Sequence, residues 1–245
     1  VISKIFVVHY TKLLERKKHM MSEVQKWNLD RVDVEFEESH DQEIMDEFDI
    51  RDALNIEKFK QNTSRSPSPG EISLCLKYKD VLRKISKMQD DEYILVLEDD
   101  VIFKEDPFEY VTRILQKCDE ENISFDCLFM GEAAMRIGDN RDIFIKKDPT
   151  AWPLDPSSAP LSVLKNGTLT NGMCTVLYRA SAVKRLCMHM DAFKVDWPID
   201  WYFNIAFRLL DLDVYWGKAI TEHGSVSAVH NKELEGLKSA LREGY

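Results

Sequence analysis

The apolar positions of this chain fall into short unbroken runs that alternate with stretches spaced at three and four residues, the pattern of strands and helices taking turns. Lys4-Ile5-Phe6-Val7-Val8-His9-Tyr10 is an apolar run of the kind covered on both faces of a sheet. From Thr11 to Trp27 a helix is expected, with Leu13, Met20, Val24 and Trp27 on one face and Leu14 and Met21 beside it. Val32 to Phe36 alternates like a strand, and the Ser- and Pro-rich stretch from Asn62 to Gly70 reads as a loop. A long helix should begin at Gly70, carrying Leu74, Tyr78, Val81, Ile85 and Met88 on one face. Tyr93 to Leu97 is apolar throughout and reads as a central strand. Further strands are expected at Phe125 to Met130, Asp142 to Lys146, Met173 to Tyr178 and Leu212 to Trp216. Helices are expected near Pro107 to Cys118, Ala180 to Met190 and Pro198 to Leu210.

Such alternation predicts a single α/β domain built on a mostly parallel sheet flanked by helices. The stretch from Lys147 to Gly172 breaks the rhythm with four prolines and many small polar residues. A loop of that length in a compact domain is expected to lie over an active site.

Composition narrows the class. With 245 residues, 44% hydrophobic and 31% charged, the chain can bury a sizeable core, and no run approaches the ~18 apolar residues of a membrane span. A formal charge of −10 speaks against a nucleic-acid binder, and it means that any diphosphate ligand needs local cations or a metal. The densest acidic run, Glu35 to Asp49, reads as a solvated face. Five widely spaced cysteines without a CxxC pair predict buried thiols rather than a zinc site or disulfide scaffold. Three N-x-[ST] matches, at Asn62, Asn122 and Asn166, leave both the cytoplasm and the endoplasmic reticulum lumen open. The chain begins Val1-Ile2-Ser3 with no initiator Met, as expected of a trimmed piece, which leaves a lost signal or anchor open.

The chemistry concentrates at Glu98-Asp99-Asp100, directly after the central strand and before Val101-Ile102-Phe103. Ligands of open α/β sheets sit beyond the carboxyl ends of strands. Three adjacent carboxylates among apolar neighbours call for a cation, and oxygen donors favour Mg²⁺ or Mn²⁺ over zinc. At strand spacing Glu98 and Asp100 point to one side and Asp99 to the other. The plain alternative is a solvated turn in which Asp99 or Asp100 caps a helix, and similar acidic pairs serve phosphatases and nucleases.

Several stretches together resemble glycosyltransferase family 25, which contains lipopolysaccharide and procollagen galactosyltransferases. They are Val7-Val8-His9-Tyr10-Thr11 through Arg16, Gly70-Glu71-Ile72-Ser73-Leu74-Cys75-Leu76-Lys77-Tyr78-Lys79, and Leu95-Val96-Leu97-Glu98-Asp99-Asp100-Val101. Two more are Asn171-Gly172 through Tyr178-Arg179-Ala180-Ser181-Ala182, and Trp197-Pro198-Ile199-Asp200-Trp201. At Lys77-Tyr78 the chain departs from the bacterial members, which usually carry Ser-His, and it looks closer to the eukaryotic and viral branch. The resemblance implies a GT-A-like (Rossmann-like) fold, with a nucleotide-binding half over residues 1–105 and an acceptor-side half over 106–245. It implies transfer of a hexose, galactose or glucose, from a UDP-sugar to a glycan or protein acceptor with Mn²⁺ or Mg²⁺.

Roles follow from the resemblance together with the residues. Asp100 is the first candidate for metal contact. Glu98 is placed toward the ribose or a metal-bound water, and Asp99 orients its neighbours. His223 in Thr221-Glu222-His223-Gly224 is the candidate third ligand, because a His-Gly element serves this purpose in the related lysyl-hydroxylase glycosyltransferase domains. A surface histidine is the alternative, and His230 a weaker substitute. Asp200 is the candidate catalytic base for the acceptor hydroxyl, although an acidic residue after Pro198 is also explained as an ordinary helix start. Trp197 and Trp201 can stack on sugars or simply pack. Tyr10 and Thr11 are placed to meet the uracil. Arg16 reaches a phosphate or lies on a solvated helix face, and Lys77 is a weaker phosphate candidate. His9, His19, His40 and His189 read as structural or exposed. An inactive nucleotide-sugar-binding relative and a metal-dependent phosphohydrolase are the rival readings. Glu98, Asp100 and Asp200 argue against the first, and the lack of an Asp-x-Asp-x-Thr pattern against the second.

Overall fold

The computed structural model describes residues 2–131 and 172–224, with the side chains of Trp216, Lys218 and His223 outside the description. The expected strand at 142–146, the expected long loop apart from Gly172, and His230 also lie outside the described residues.

The strands are β1 (Ile2–Val8), β2 (Asp33–Glu37), β3 (Tyr93–Glu98), β4 (Val101–Phe103), β5 (Cys127–Gly131), β6 (Thr175–Arg179) and β7 (Val214–His223). They form one sheet in the order β2-β1-β3-β6-β5-β7-β4. β1 runs parallel to β2 and β3, and β5 parallel to β7. β6 is antiparallel to both β3 and β5, and β4 to β7. The expectation of a mostly parallel sheet is therefore corrected: the sheet is mixed. Thr175 to Tyr178 are all buried, and a strand covered on both faces shows the same apolar run whichever way it points.

The helices are α1 (Leu14–Lys26), α2 (Glu47–Ala53), α3 (Ile56–Thr63), α4 (Pro69–Ile85), α5 (Pro107–Glu121), α6 (Ala180–Phe193) and α7 (Ile199–Leu209). Local chemistry sets their starts. At α4 the Ser68 hydroxyl accepts from the Glu71 N–H while the Glu71 carboxylate accepts from the Ser68 N–H, with Pro69 as the first helical residue. At α5 the Asp106 carboxylate accepts from Phe108 and Glu109 ahead of Pro107, and the helix ends at Asn122 in the left-handed region (φ 53°). α1 begins three residues later than expected, because Tyr10 to Leu13 form a turn closed by the Leu13 N–H on the Tyr10 carbonyl (2.9 Å).

Successive residues of β1 and β3 face opposite ways, as a pleated strand requires. Phe6, Val8, Ile94 and Val96 join α4, α6 and α7 in one core. Ile5, Val7, Leu95 and Leu97 join Met20 and the buried face of α5 in the other. All five cysteines are free and buried. Among the described residues no helix is long and apolar enough to cross a membrane.

The expected apolar face of α1 is only partly right. Met20 is buried, but Leu14 is 63% and Met21 50% exposed, and the buried turn positions include Arg16 and Glu23. The Glu23 carboxylate accepts from the Phe103 N–H (2.8 Å) and the Trp27 indole N–H (3.1 Å). The acidic run is corrected in the same sense. Glu37 and Asp41 are buried, and the segment carries α2, capped by Asp46.

Candidate functional site

Because β1 and β3 are parallel neighbours in register Val8 to Glu98, the residues following each emerge at the same edge of the sheet. His9 and Tyr10 therefore meet Glu98, Asp99 and Asp100. The start of α1 and the first three turns of α4 close the sides. The enclosed part of the cleft, about 50 Å³, is lined by Tyr10, Arg16, Lys77, Glu98 and Asp99 with His9, Leu13, Gln42, Gly70, Ser73, Leu74 and Val8. That small volume holds a piece of a ligand, not a whole sugar nucleotide.

β3 ends at Glu98, so Asp99 and Asp100 sit in the turn before β4 and strand alternation does not extend to them. Both face one cation. Arg16, only 2% exposed, donates to Asp99 Oδ1 at 2.6 Å and stands 3.5 Å from Asp100 Oδ2. Its expected place on a solvated helix face is corrected: it is buried under the acidic turn. The expected phosphate contact meets the same fact, since this guanidinium is engaged with two carboxylates. His9 Nδ1 lies 2.7 Å from Asp99 Oδ2. Burial alone pushes the Asp99 carboxyl up, but His9 and Arg16 outweigh it and hold it below the usual carboxylate range.

Asp100 is 2% exposed, and its carbonyl accepts from the Gly224 N–H at 2.8 Å. Through the antiparallel pairing of β4 with β7, the His223 backbone lies opposite Val101, beside the acidic turn; its side chain is outside the description. Among the described residues no group of three His, Cys, Asp or Glu side chains is arranged to hold a metal ion. Glu98 and Asp100, which bracket Asp99 at the end of β3, are carboxylates suited to a hard divalent ion, and the backbone register brings His223 alongside.

Asp200 lies in the first turn of α7, off the buried stripe of Ile199, Tyr202, Phe203, Ala206 and Phe207. One carboxylate oxygen accepts from the Trp201 N–H (2.9 Å). Loss of water pushes its pKa up to about 6, and the negative charges of Glu98 and Glu71 add to the rise. Beside Asp200 the Trp197 and Trp201 rings stack with centroids 5.6 Å apart and planes 22° from parallel.

Thr11 does not line the enclosed space. It gives both its N–H (3.2 Å) and its hydroxyl to Asp41, a buried residue that also accepts from Lys77 Nζ at 2.8 Å. The Tyr10 hydroxyl donates to Glu43 at 2.5 Å. Three residues of this neighbourhood escaped the sequence reading. Asp41 and Gln42 were hidden within the acidic run. His9 carried a usable signal as the polar residue that ends a buried parallel strand.

Compared with known proteins, residues 2–147 match the family model described as Glycosyltransferase family 25 (LPS biosynthesis protein). No curated protein matches the chain. The matched stretch contains the cleft residues from His9 to Asp100, whereas Asp200 and His223 lie beyond it.

Proposed function

The chain belongs to glycosyltransferase family 25, and from that premise we propose that it moves a hexose, galactose or glucose, from a UDP-sugar to a hydroxyl of a glycan or protein acceptor. The observation that carries the reading is the pairing of β1 with β3, which delivers Glu98 to a cleft at the sheet edge, together with the carboxyl of Asp200 at the start of α7, raised to about 6 by loss of water and in part by the charge of Glu98.

In this reading the chain is a GT-A arrangement, with residues 1–105 holding the donor and 106–245 the acceptor. Asp200 takes the proton of the acceptor hydroxyl as its oxygen attacks the anomeric carbon and the bond to UDP breaks. A pKa of about 6 suits that task, because the group is ionised at neutral pH yet basic enough to accept a proton. Asp100 and Glu98, with His223, would hold Mn²⁺ or Mg²⁺, which when bound supplies Lewis-acid stabilisation to the departing diphosphate. Arg16 and His9 orient the acidic turn through Asp99, and Arg16 also stands 3.5 Å from Asp100 Oδ2. Trp197 and Trp201 offer aromatic surface to a sugar ring beside Asp200.

The test is a thermal-shift series with UDP, GDP and UDP-hexoses, with and without Mn²⁺, followed by measurement of UDP released from UDP-galactose and UDP-glucose with an acceptor panel. Metal-dependent stabilisation by UDP and release of UDP are expected. No stabilisation by any nucleotide with the metal present would overturn the proposal.

A further inference from the structure

We propose that Lys77 and Gln42 read the nucleobase of the donor, with the Lys77 ammonium donating to the C4 carbonyl of uracil. The inference rests on the donor site proposed above and goes further, naming what selects the base.

Lys77 is 2% exposed, comes from the third turn of α4 and lines the enclosed end of the cleft. An ammonium has three N–H donors. One goes to the Ser39 carbonyl and a second to Asp41 Oδ1 at 2.8 Å, which leaves one for a ligand. The charge is already balanced by Asp41, itself buried and tied to Thr11 in the turn that follows β1. A cation so neutralised and so firmly held is poorly suited to grip a mobile diphosphate, but it presents a fixed donor to a neutral acceptor. The surroundings fit a flat ring. Val8, Leu13 and Leu74 are apolar, Tyr10 is aromatic, and the Gln42 amide, whose nitrogen donates to Tyr10 and Glu43, provides its oxygen as an acceptor at the rim.

Uracil carries a carbonyl oxygen at C4 and an N3–H, matching a lysine donor and an amide oxygen. Cytosine carries an amino group at C4, whose N–H would confront the lysine N–H and leave two buried donors unsatisfied. Sites that hydrogen-bond one ligand group reject an analogue that cannot answer it far more strongly than apolar pockets do.

The experiment is isothermal titration of UDP and CDP, each with Mn²⁺, against the full chain, Lys77→Met and the double variant Lys77→Met/Asp41→Asn. The double variant removes the orphaned buried carboxylate and so guards against loss of fold. The unaltered protein should prefer UDP by about tenfold or more, and the ratio should fall to within about twofold in both variants. A purely structural role for Lys77 would weaken both nucleotides alike and keep their ratio, which would overturn the inference. Equal binding of UDP and CDP by the unaltered chain would overturn it too, while leaving the transferase reading intact. Binding of neither nucleotide defeats the transferase reading and this inference together.

Discussion

At Asp200 a single proton links rate and stability. The carboxyl is pushed up to about 6, so the native state binds a proton that the unfolded chain, with an ordinary carboxyl near 3.9, releases over that interval. The stability it contributes is complete below the unfolded value and is lost as pH rises through about 6. Asp200→Asn should therefore raise the melting temperature at pH 8 and leave it nearly unchanged at pH 4, while the proposed role as base predicts a kcat lowered by roughly 10²–10⁴. Scanning calorimetry at the two pH values and UDP-release kinetics check both halves. Arg16 has the opposite character. Arg16→Met strips Asp99 and Asp100 of their shared buried cation and should cost about 3–5 kcal/mol, a fall of roughly 10 °C in melting temperature. A change of only a degree or two would mean the pair is not buried as described. The carboxylates of Glu98 to Asp100 were legible because an acidic triplet between apolar runs is conspicuous. The buried partners were not, because an arginine on an amphipathic helix and an aspartate in an acidic run have the composition of solvated residues. Only the fold tells which way they turn.

Among the elements, the start of α4 does most to shape the cleft, because Gly70, Ser73, Leu74 and Lys77 all stand on its first turns. Ser68→Ala removes one half of the reciprocal cap and should cost about 1 kcal/mol, lowering the melting temperature by roughly 2–4 °C. Chemical denaturation would show the same loss, and UDP affinity should weaken with it as the turn frays. Most strands and helices were readable from periodicity to within a few residues, since β1, β3 and α4 bury complete apolar faces. α2 and α3 were missed. They are short and rich in charge, and their only local signals are the caps Asp46 and Asn55. Strand direction was beyond reach for β6, because burial on both faces leaves no trace of polarity along the strand.

Across the whole molecule, a protein of charge −10 folds around an acidic edge whose buried members are paired from within the chain. The guanidinium of Arg16 and the ring of His9 carry that burden from inside, beneath the turn. Treatment with EDTA should accordingly leave the melting temperature of the ligand-free chain within about 1 °C of its starting value, in contrast to domains whose folding is driven by metal binding. A large drop on chelation would show that the inner cation is insufficient. Shape would then come before cargo. A newly made chain could reach its finished form in a compartment starved of manganese, wait there intact, and become competent when the metal supply rises, with no refolding in between.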